Sequence, residues 1–408
     1  DFVNFLNQVP NYSLQSSLQE YLLLEYQSNK ESVTQIYQQP VDDRVLAGHS
    51  LRLRYLGDPD PDSDDIAMSI DQDAVFQIVI NQHQIETSSL ILKEGDWVVL
   101  NPVNTNASQL EHGRLAVIEK LEIEACRVAL GWRGASKNRF QPWHRQDAPQ
   151  PNKDYIIDPM TDDINANKAC LAIEQAQSNT LHTWLTVDRP DQQLMFHPSE
   201  TDTFLGWIDQ VEGDKRLTNR QIEVVTNNQK LLLVQGPPGT GKSYTLAWAL
   251  LHRLYQAWQQ GSSCAVAVAC FTHSASRVVL NQLADRCRAL SKLIPDFPSI
   301  PIYKIGDSDQ NQELTDQVQT FDPYQVDGGN TLPNLLADNR VIIFGGTSAG
   351  FYNLARSATP GKQPNWKKKY FDLLAIDEAS QMSLPYALLS AAWLKPEGEM
   401  VVVGDPRQ

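Results

Sequence analysis

Leu231–Thr245 reads LLLVQGPPGTGKSYT. Within it, Gly236–Ser243 is GPPGTGKS, a complete match to GxxxxGK[ST]. An apolar strand is predicted before the loop, Leu231–Val234, and a helix after it, from Tyr244 to about Ala257. That strand–loop–helix order is what gives the match its meaning. Gly236, Gly239 and Gly241 permit a tight backbone path. The loop amides and the helix N-terminus then face phosphate oxygens. Gly236, Pro237, Pro238, Gly239, Thr240, Gly241, Lys242, Ser243 and Tyr244 are therefore the candidate nucleotide-binding stretch. Lys242 is expected to reach the β and γ phosphates, and Ser243 to offer a hydroxyl to Mg²⁺.

A phosphate loop needs a metal-binding carboxylate on a neighbouring strand, and YFDLLAIDEAS at Tyr370–Ser380 supplies one. Phe371–Ile376 reads as an apolar strand with Asp377-Glu378 at its end, where open α/β sheets bind ligands. Asp377 is the candidate Mg²⁺ ligand. Glu378 is the candidate base that orients and deprotonates water. EMVVVGDP at Glu399–Pro406 is a further strand, running on to Arg407-Gln408. Gln408 carries an amide suited to sensing a γ-phosphate, with a plain strand-end turn as the alternative.

Two more strands end in small polar residues: AVAVACFTHSAS at Ala265–Ser276 and VIIFGGTSAG at Val341–Gly350. If they are parallel, Thr272, His273, Ser274, Thr347 and Ser348 line one sheet edge. Hydroxyls and free amides there suit a sugar–phosphate backbone. Capping of the following helices is the competing reading. His273 has no nearby partner for a metal site. Lys367-Lys368-Lys369 reads as a solvated patch or a phosphate contact.

Ahead of the phosphate loop, Leu14, Leu18 and Leu22 recur four apart, with Tyr21 close by, and predict an amphipathic helix. DPDPDSDD at Asp58–Asp65 reads as a solvated loop that lacks calcium-loop spacing. Ala74–Ile80, Asp96–Leu100, Gly113–Glu122 and Cys126–Trp132 are short β-prone runs separated by turn residues, which predicts a small β-barrel. Such a barrel is a place for a nucleic acid strand or a protein partner. Trp97 and Trp132 are candidates for base stacking or core packing. Pro149–Asp158 reads as a connector. Ala166–Leu181 reads as a helix with Ala169, Ala172, Ile173 and Ala176 on one side.

The chain has 408 residues, 41% hydrophobic and 20% charged, which excludes a wholly disordered or fibrous protein. Its formal net charge of −15 excludes a uniformly basic coat and leaves room for a local basic groove. The five cysteines form no CxxC pair, so a reducing, cytoplasmic setting is expected. No apolar run is long enough to span a bilayer, and no membrane partner is expected.

Taken together, these motifs resemble those of superfamily 1 helicases, in the subgroup of the RNA-surveillance and DNA-replication helicases that move 5′ to 3′. The matching pieces are LTNRQ at Leu217–Gln221, QGPPGTGKS at Gln235–Ser243, FTHSAS at Phe271–Ser276, GGTSAG at Gly345–Gly350, IDEASQ at Ile376–Gln381 and GDPRQ at Gly404–Gln408. The resemblance implies an α/β chain: a RecA-like P-loop NTPase parallel sheet at residues 217–408, preceded by a helical stalk segment (1–50), a small β-barrel (51–147) and a helical stalk or connector (148–216). It implies that Gln221 hydrogen-bonds adenine, that Gln408 couples γ-phosphate state to nucleic acid, and that ATP and Mg²⁺ are used. It also implies movement along single-stranded DNA or RNA, with a second RecA-like lobe expected beyond this chain or on another one. A nucleotide-gated switch that captures a protein partner, without translocation, is the alternative.

Overall fold

The computed structural model describes residues 13–55, 73–78, 90–94, 96–123, 126–132, 149–150, 153–160, 164–186, 198–227, 229–306, 314–324, 331–359, 363–405 and 407. The aspartate-rich stretch Asp58–Asp65, Gln408 and the side chain of Trp132 lie outside the described residues. The chain divides into two units, Tyr21–Ala166 and Asp1–Glu20 together with Asn167–Gln408. The predicted first helix is α1 (Leu14–Gln38), with Leu18 and Leu22 buried. A short helix, α2 (Val41–Leu46), follows Pro40, whose fixed φ suits a helix start.

Six antiparallel strands make a closed barrel: β1 (Leu51–Tyr55), β2 (Asp73–Ile78), β3 (Trp97–Pro102), β4 (Arg114–Glu122), β5 (Arg127–Trp132) and β6 (Asp154–Pro159). Their order is β1-β2-β5-β4-β3-β6, and β6 returns to β1. Period-two alternation fills the interior: Leu51 and Leu53 on β1, Val98 and Leu100 on β3, Ala116 and Ile118 on β4, and Val128 and Leu130 on β5. The stretch Pro149–Asp158, expected as a connector, instead contributes β6, the strand that closes the circle. Ile157 faces both Leu51 and Leu100 in register. Asp158 on β6 is fully buried. It accepts a hydrogen bond from Ser50 Oγ at 2.5 Å and pairs with Arg44 Nε at 2.9 Å, which ties α2 to the barrel wall. Burial pushes its carboxyl up, and Ser50 and Arg44 oppose that push. Trp97 is half-buried on β3.

The predicted helix at Ala166–Leu181 is broken in two. It runs as α3 (Ile164–Glu174), a 3₁₀ turn at Ala176–Ser178, then α4 (Thr180–Thr186). Ala169, Ala172, Ile173 and Ala176 are all buried, as expected of one face, although the helix is not continuous. Asn179 explains the break. Its side chain caps α4 by accepting from Leu181 N, and its amide donates to Leu388 O.

α5 (Pro198–Glu212) and α6 (Asn219–Thr226) lead into a seven-stranded sheet. Its strands are β7 (Leu231–Gln235), β8 (Cys264–Cys270), β9 (Ile302–Ile305), β10 (Val318–Phe321), β11 (Val341–Thr347), β12 (Phe371–Asp377) and β13 (Leu394–Gly404). The order is β10-β9-β11-β8-β12-β13-β7, and every pairing is parallel. Between the strands run α7 (Lys242–Gln259), α8 (His273–Leu293), α9 (Leu332–Asp338), α10 (Ser348–Ser357) and α11 (Leu384–Ala391). β8 is buried at all seven positions, as a central parallel strand covered on both faces must be. On one face Val266 and Val268 share a core with Leu246, Leu250, Val279 and Leu283 of α7 and α8. On the other, Phe344, Phe351 and Phe371 meet edge to face. Gly345 on β11 admits α8 closely: a Cβ there would lie 2.6 Å from Leu280 Cδ2. This is an α/β architecture with a RecA-like parallel sheet, preceded in the chain by an antiparallel barrel and helical segments.

Candidate nucleotide-binding site

Parallel pairing brings the strand ends to one edge. Thr347, Cys270 and Asp377 stand side by side in register on β11, β8 and β12, and Gly404 stands beside Gln235 on β13 and β7. The loop after β7 then turns into α7 through Gly239 (φ +77°) and Gly241 (φ +78°), both left-handed, a conformation that favours glycine. A Cβ on Gly236 would sit 2.7 Å from Thr240 Oγ1, so the loop closes on itself only with glycine there. Thr240 Oγ1 donates to Pro237 O at 2.8 Å, and Lys242 Nζ donates to the same carbonyl at 3.2 Å. The ammonium is folded back over the loop it is expected to serve.

Ser243 lies in the first turn of α7, and its hydroxyl donates to Asp377 Oδ2 at 2.7 Å. The other carboxylate oxygen accepts from Glu378 N at 3.0 Å. Asp377 is only 2% exposed. Burial raises its pKa, opposed by the Ser243 and Glu378 hydrogen bonds and by the Lys242 charge. A hydroxyl and a buried carboxylate facing each other are hard oxygen donors, and a cation between them would offset the cost of ionising Asp377. Mg²⁺ takes one or two carboxylates and completes its shell with water and phosphate, so a single carboxylate fits it. Among the described residues no group of three or more His, Cys, Asp or Glu gathers to hold a metal alone.

Glu378 adopts φ +53°, a left-handed backbone rare for a residue with a side chain. The turn after it places Ser380 against the end of β13. A Cβ on Gly404 would be 3.1 Å from Ser380 N, and Asp405 N donates to Ser380 Oγ at 3.4 Å. Asp405 also accepts from Arg407 N at 3.0 Å.

Gln221 lies on α6, beside the loop. Its carboxamide oxygen accepts from Thr218 N at 2.8 Å and from Thr218 Oγ1 at 3.2 Å, and its amide nitrogen donates to Thr240 O at 3.2 Å. Thr218 and Gln221 thus form a capping box, whose T-x-x-Q signature is visible in the sequence. Tyr244 Oη donates to Lys215 O at 3.0 Å, and its ring lies beneath the Arg286 guanidinium, 4.6 Å away. Its hydroxyl is engaged with the protein rather than turned to a ligand. Arg286 pairs with Glu212 at 3.3 Å, and Glu212 accepts from Trp248 Nε1 at 2.9 Å. Nothing in residue spacing announced this cluster, because it joins three separate helices.

Of the five residues expected at a sugar–phosphate surface, Thr272 and Thr347 cap α8 and α10, accepting from Ala275 N at 3.1 Å and Gly350 N at 3.2 Å. Thr272, His273 and Ser274 are exposed, and Thr347 is half-buried. Ser348 is different: it is 6% exposed, accepts from Ser390 Oγ at 2.9 Å and faces Met382 Sδ at 3.7 Å. Its hydroxyl belongs to the interior. Phe271, 49% exposed at the end of β8, was not singled out from the sequence, although FTHSAS contains it. Lys369 is not a surface contact. Its ammonium donates to Ala392 O before the opposite end of β12, and burial pushes it down to about 8.

Residues 220–408 match a family described as an AAA domain. Among solved structures, the UvsW helicase from bacteriophage T4 is similar at 15% identity, with a TM-score of 0.33, over 52% of this chain and 62% of that one. The matched part thus spans less than two thirds of that helicase's length. Among curated proteins none matches. No helix among the described residues is long and apolar enough to cross a membrane.

Proposed function

Taking residues 220–408 as an AAA/RecA-like ATPase-family domain, we propose that this chain binds ATP on the loop Gly236–Ser243, hydrolyses it to ADP and phosphate, and couples the cycle to single-stranded DNA or RNA as a helicase or translocase. The observation that carries the reading is the 2.7 Å hydrogen bond between Ser243 and Asp377. It joins two separate sequence motifs at one point on the sheet edge. Ser243 and Asp377 would hold Mg²⁺, which neutralises charge on the β and γ phosphates when bound. The loop amides and the start of α7 face the phosphate oxygens. Lys242 exchanges the Pro237 carbonyl for a phosphate. Glu378 accepts a proton from the attacking water, whose oxygen bonds the γ phosphorus as the bond to the β-phosphate oxygen breaks. Gln408 would report the γ-phosphate.

Coupling is supported by the register of the sheet. Thr347 ends β11, Thr272 comes just after the adjacent β8, and both share the edge that carries Asp377. The exposed Thr272 and Ser274 hydroxyls there, with Phe271 nearby, suit a strand held by its backbone with little sequence preference. A second RecA-like lobe would supply cationic groups to the phosphates in addition to Lys242.

The test is ATP turnover by the complete gene product, with and without single-stranded DNA and RNA. Glu378→Gln is expected to lower turnover by about 10²–10⁴-fold while nucleotide still binds. Stimulation by either strand, lost in the variant, supports the motor. ATP binding that no strand stimulates moves the reading to a nucleotide-gated switch for a protein partner.

A further inference from the structure

The chain leaves Glu378 through a 3₁₀ turn at Ala379–Gln381, then passes Met382 and Ser383 into α11. Two polar groups in this short segment are bonded more poorly than their surroundings allow. Met382, 7% exposed, has its Sδ 3.7 Å from Ser348 Oγ, which donates to it. A thioether is a weak acceptor, and here it takes the hydrogen bond of a buried hydroxyl. Ser383 is the N-cap residue of α11, with the extended backbone of a cap, yet its side chain makes no cap bond. Its Oγ is buried and has no hydrogen-bond partner among the described residues. The amide that such a serine ordinarily serves, Tyr386 N, donates instead to the Ser383 carbonyl at 3.0 Å. At the other end of the segment Glu378 holds its left-handed φ of +53°, a conformation that surrounding contacts must sustain.

Behind the segment lies a pair of hydroxyls that gives it an alternative. Ser390 of α11 is 1% exposed, and its Oγ is 2.9 Å from Ser348 Oγ and 3.1 Å from Tyr386 O. A hydroxyl has one proton to donate. In one arrangement Ser390 donates to Ser348, and Ser348 donates to Met382. In the other, Ser348 donates to Ser390, and Ser390 donates to the Tyr386 carbonyl. Each arrangement satisfies both buried donors. The second needs nothing from Met382.

We propose that the segment Glu378–Ser383 has two positions, and that Ser390 is the positioning residue that makes the second one accessible. In the first, which this structure shows, Met382 is held by Ser348. In the second, Met382 withdraws, Ser383 turns its hydroxyl to Tyr386 N and caps α11, and Ser348 donates to Ser390. The lost sulfur contact is weak and the gained cap is ordinary, so the two positions lie close in free energy. Glu378 begins the segment and moves with it, which changes where its carboxylate stands relative to the phosphate loop. The inference rests on the nucleotide reading of that loop and deepens it. Exchange between the positions belongs to each turnover, and Ser390, which touches no nucleotide, acts on it through Ser348.

The experiment is steady-state ATP turnover by the complete gene product, with Mg²⁺ and single-stranded DNA or RNA. It compares the parent with Ser390→Ala, with the double variant Ser348→Ala/Ser390→Ala, and with Met382→Leu. In Ser390→Ala the withdrawal of Met382 strands the buried Ser348 hydroxyl. This variant should lower kcat by roughly 5- to 100-fold, with KM for ATP within about 2-fold of the parent. Removing the stranded hydroxyl should undo the loss, so the double variant is expected within about 3-fold of the parent kcat. Met382→Leu, in which Ser348 turns to Ser390, should also stay within about 3-fold. Residues needed only for packing would behave otherwise: the double variant would lose at least as much as the single one. The inference is overturned if Ser390→Ala leaves kcat unchanged, if the double variant is as slow as Ser390→Ala, or if Met382→Leu is. A parent that neither binds nor hydrolyses ATP is a separate outcome, which overturns the nucleotide reading and this inference with it.

Discussion

His252 sits on α7, fully buried, with Nδ1 2.9 Å from Val225 O and its ring 5.0 Å from that of Phe204. The carbonyl fixes the tautomer: Nδ1 carries the proton and donates it to α6, the helix that bears Gln221. Burial lowers the pKa from 6.5 to about 4, so the folded chain refuses a proton that the unfolded chain accepts. The sign follows. Between pH 6.5 and about 4 the unfolded state binds more protons, and stability falls as pH falls, by about 3 kcal/mol in full. Urea unfolding followed across that window should show the decline, and His252→Leu should flatten its slope. A histidine in HRLYQAW carries no such message in sequence, because its burial is decided by helices elsewhere in the chain. Glu378 shows the same boundary of legibility. Its proposed role as the base beside Asp377 comes from an apolar strand ending in two carboxylates. Its left-handed φ of +53° does not, since only packed neighbours can hold a side-chain-bearing residue there.

Among the elements, the buried strands β8, β11 and β12 are readable because a parallel strand covered on both faces is a mostly apolar run. β6 was not: DYIIDP is six residues between prolines and polar turns, and only its pairing with both β1 and β3 makes it a strand. The four-residue strands IYKI and VQTF are too short to show a period, and the first of them buries Lys304. Helix-to-sheet distance is set by residues whose importance lies in what they lack. Gly345 is one, directly beneath Leu280 of α8. Gly345→Ala should destabilise the lobe by about 1–3 kcal/mol through overpacking, read as a lower urea midpoint with an unchanged m-value. A companion Leu280→Ala change should recover part of that loss if the clash is the cause.

At the scale of the molecule, the motif order along the chain is not the strand order across the sheet. β7, which launches the phosphate loop, is the first strand of its sheet in sequence, and its described partner is β13, the last. Gly236 N, at the mouth of the loop, donates to Gly404 O at 3.2 Å, so β13 also fixes where the loop begins. Ending the chain at residue 393 should therefore abolish binding of a fluorescent ATP analogue, although every residue of the loop, Ser243 and Asp377 would still be present. On the ribosome this arrangement becomes a matter of timing. Leu231 leaves the exit tunnel about 170 residues before the Met400 it must pair with, a delay of roughly 8–34 s at ordinary synthesis rates. Leu233, 70% exposed even with β13 in place, spends that interval on a strand whose described partner is not yet made. The newborn chain thus carries the apolar run Leu231–Val234 without its β13 partner, and a nucleotide held by the loop would draw folding forward only once β13 has docked.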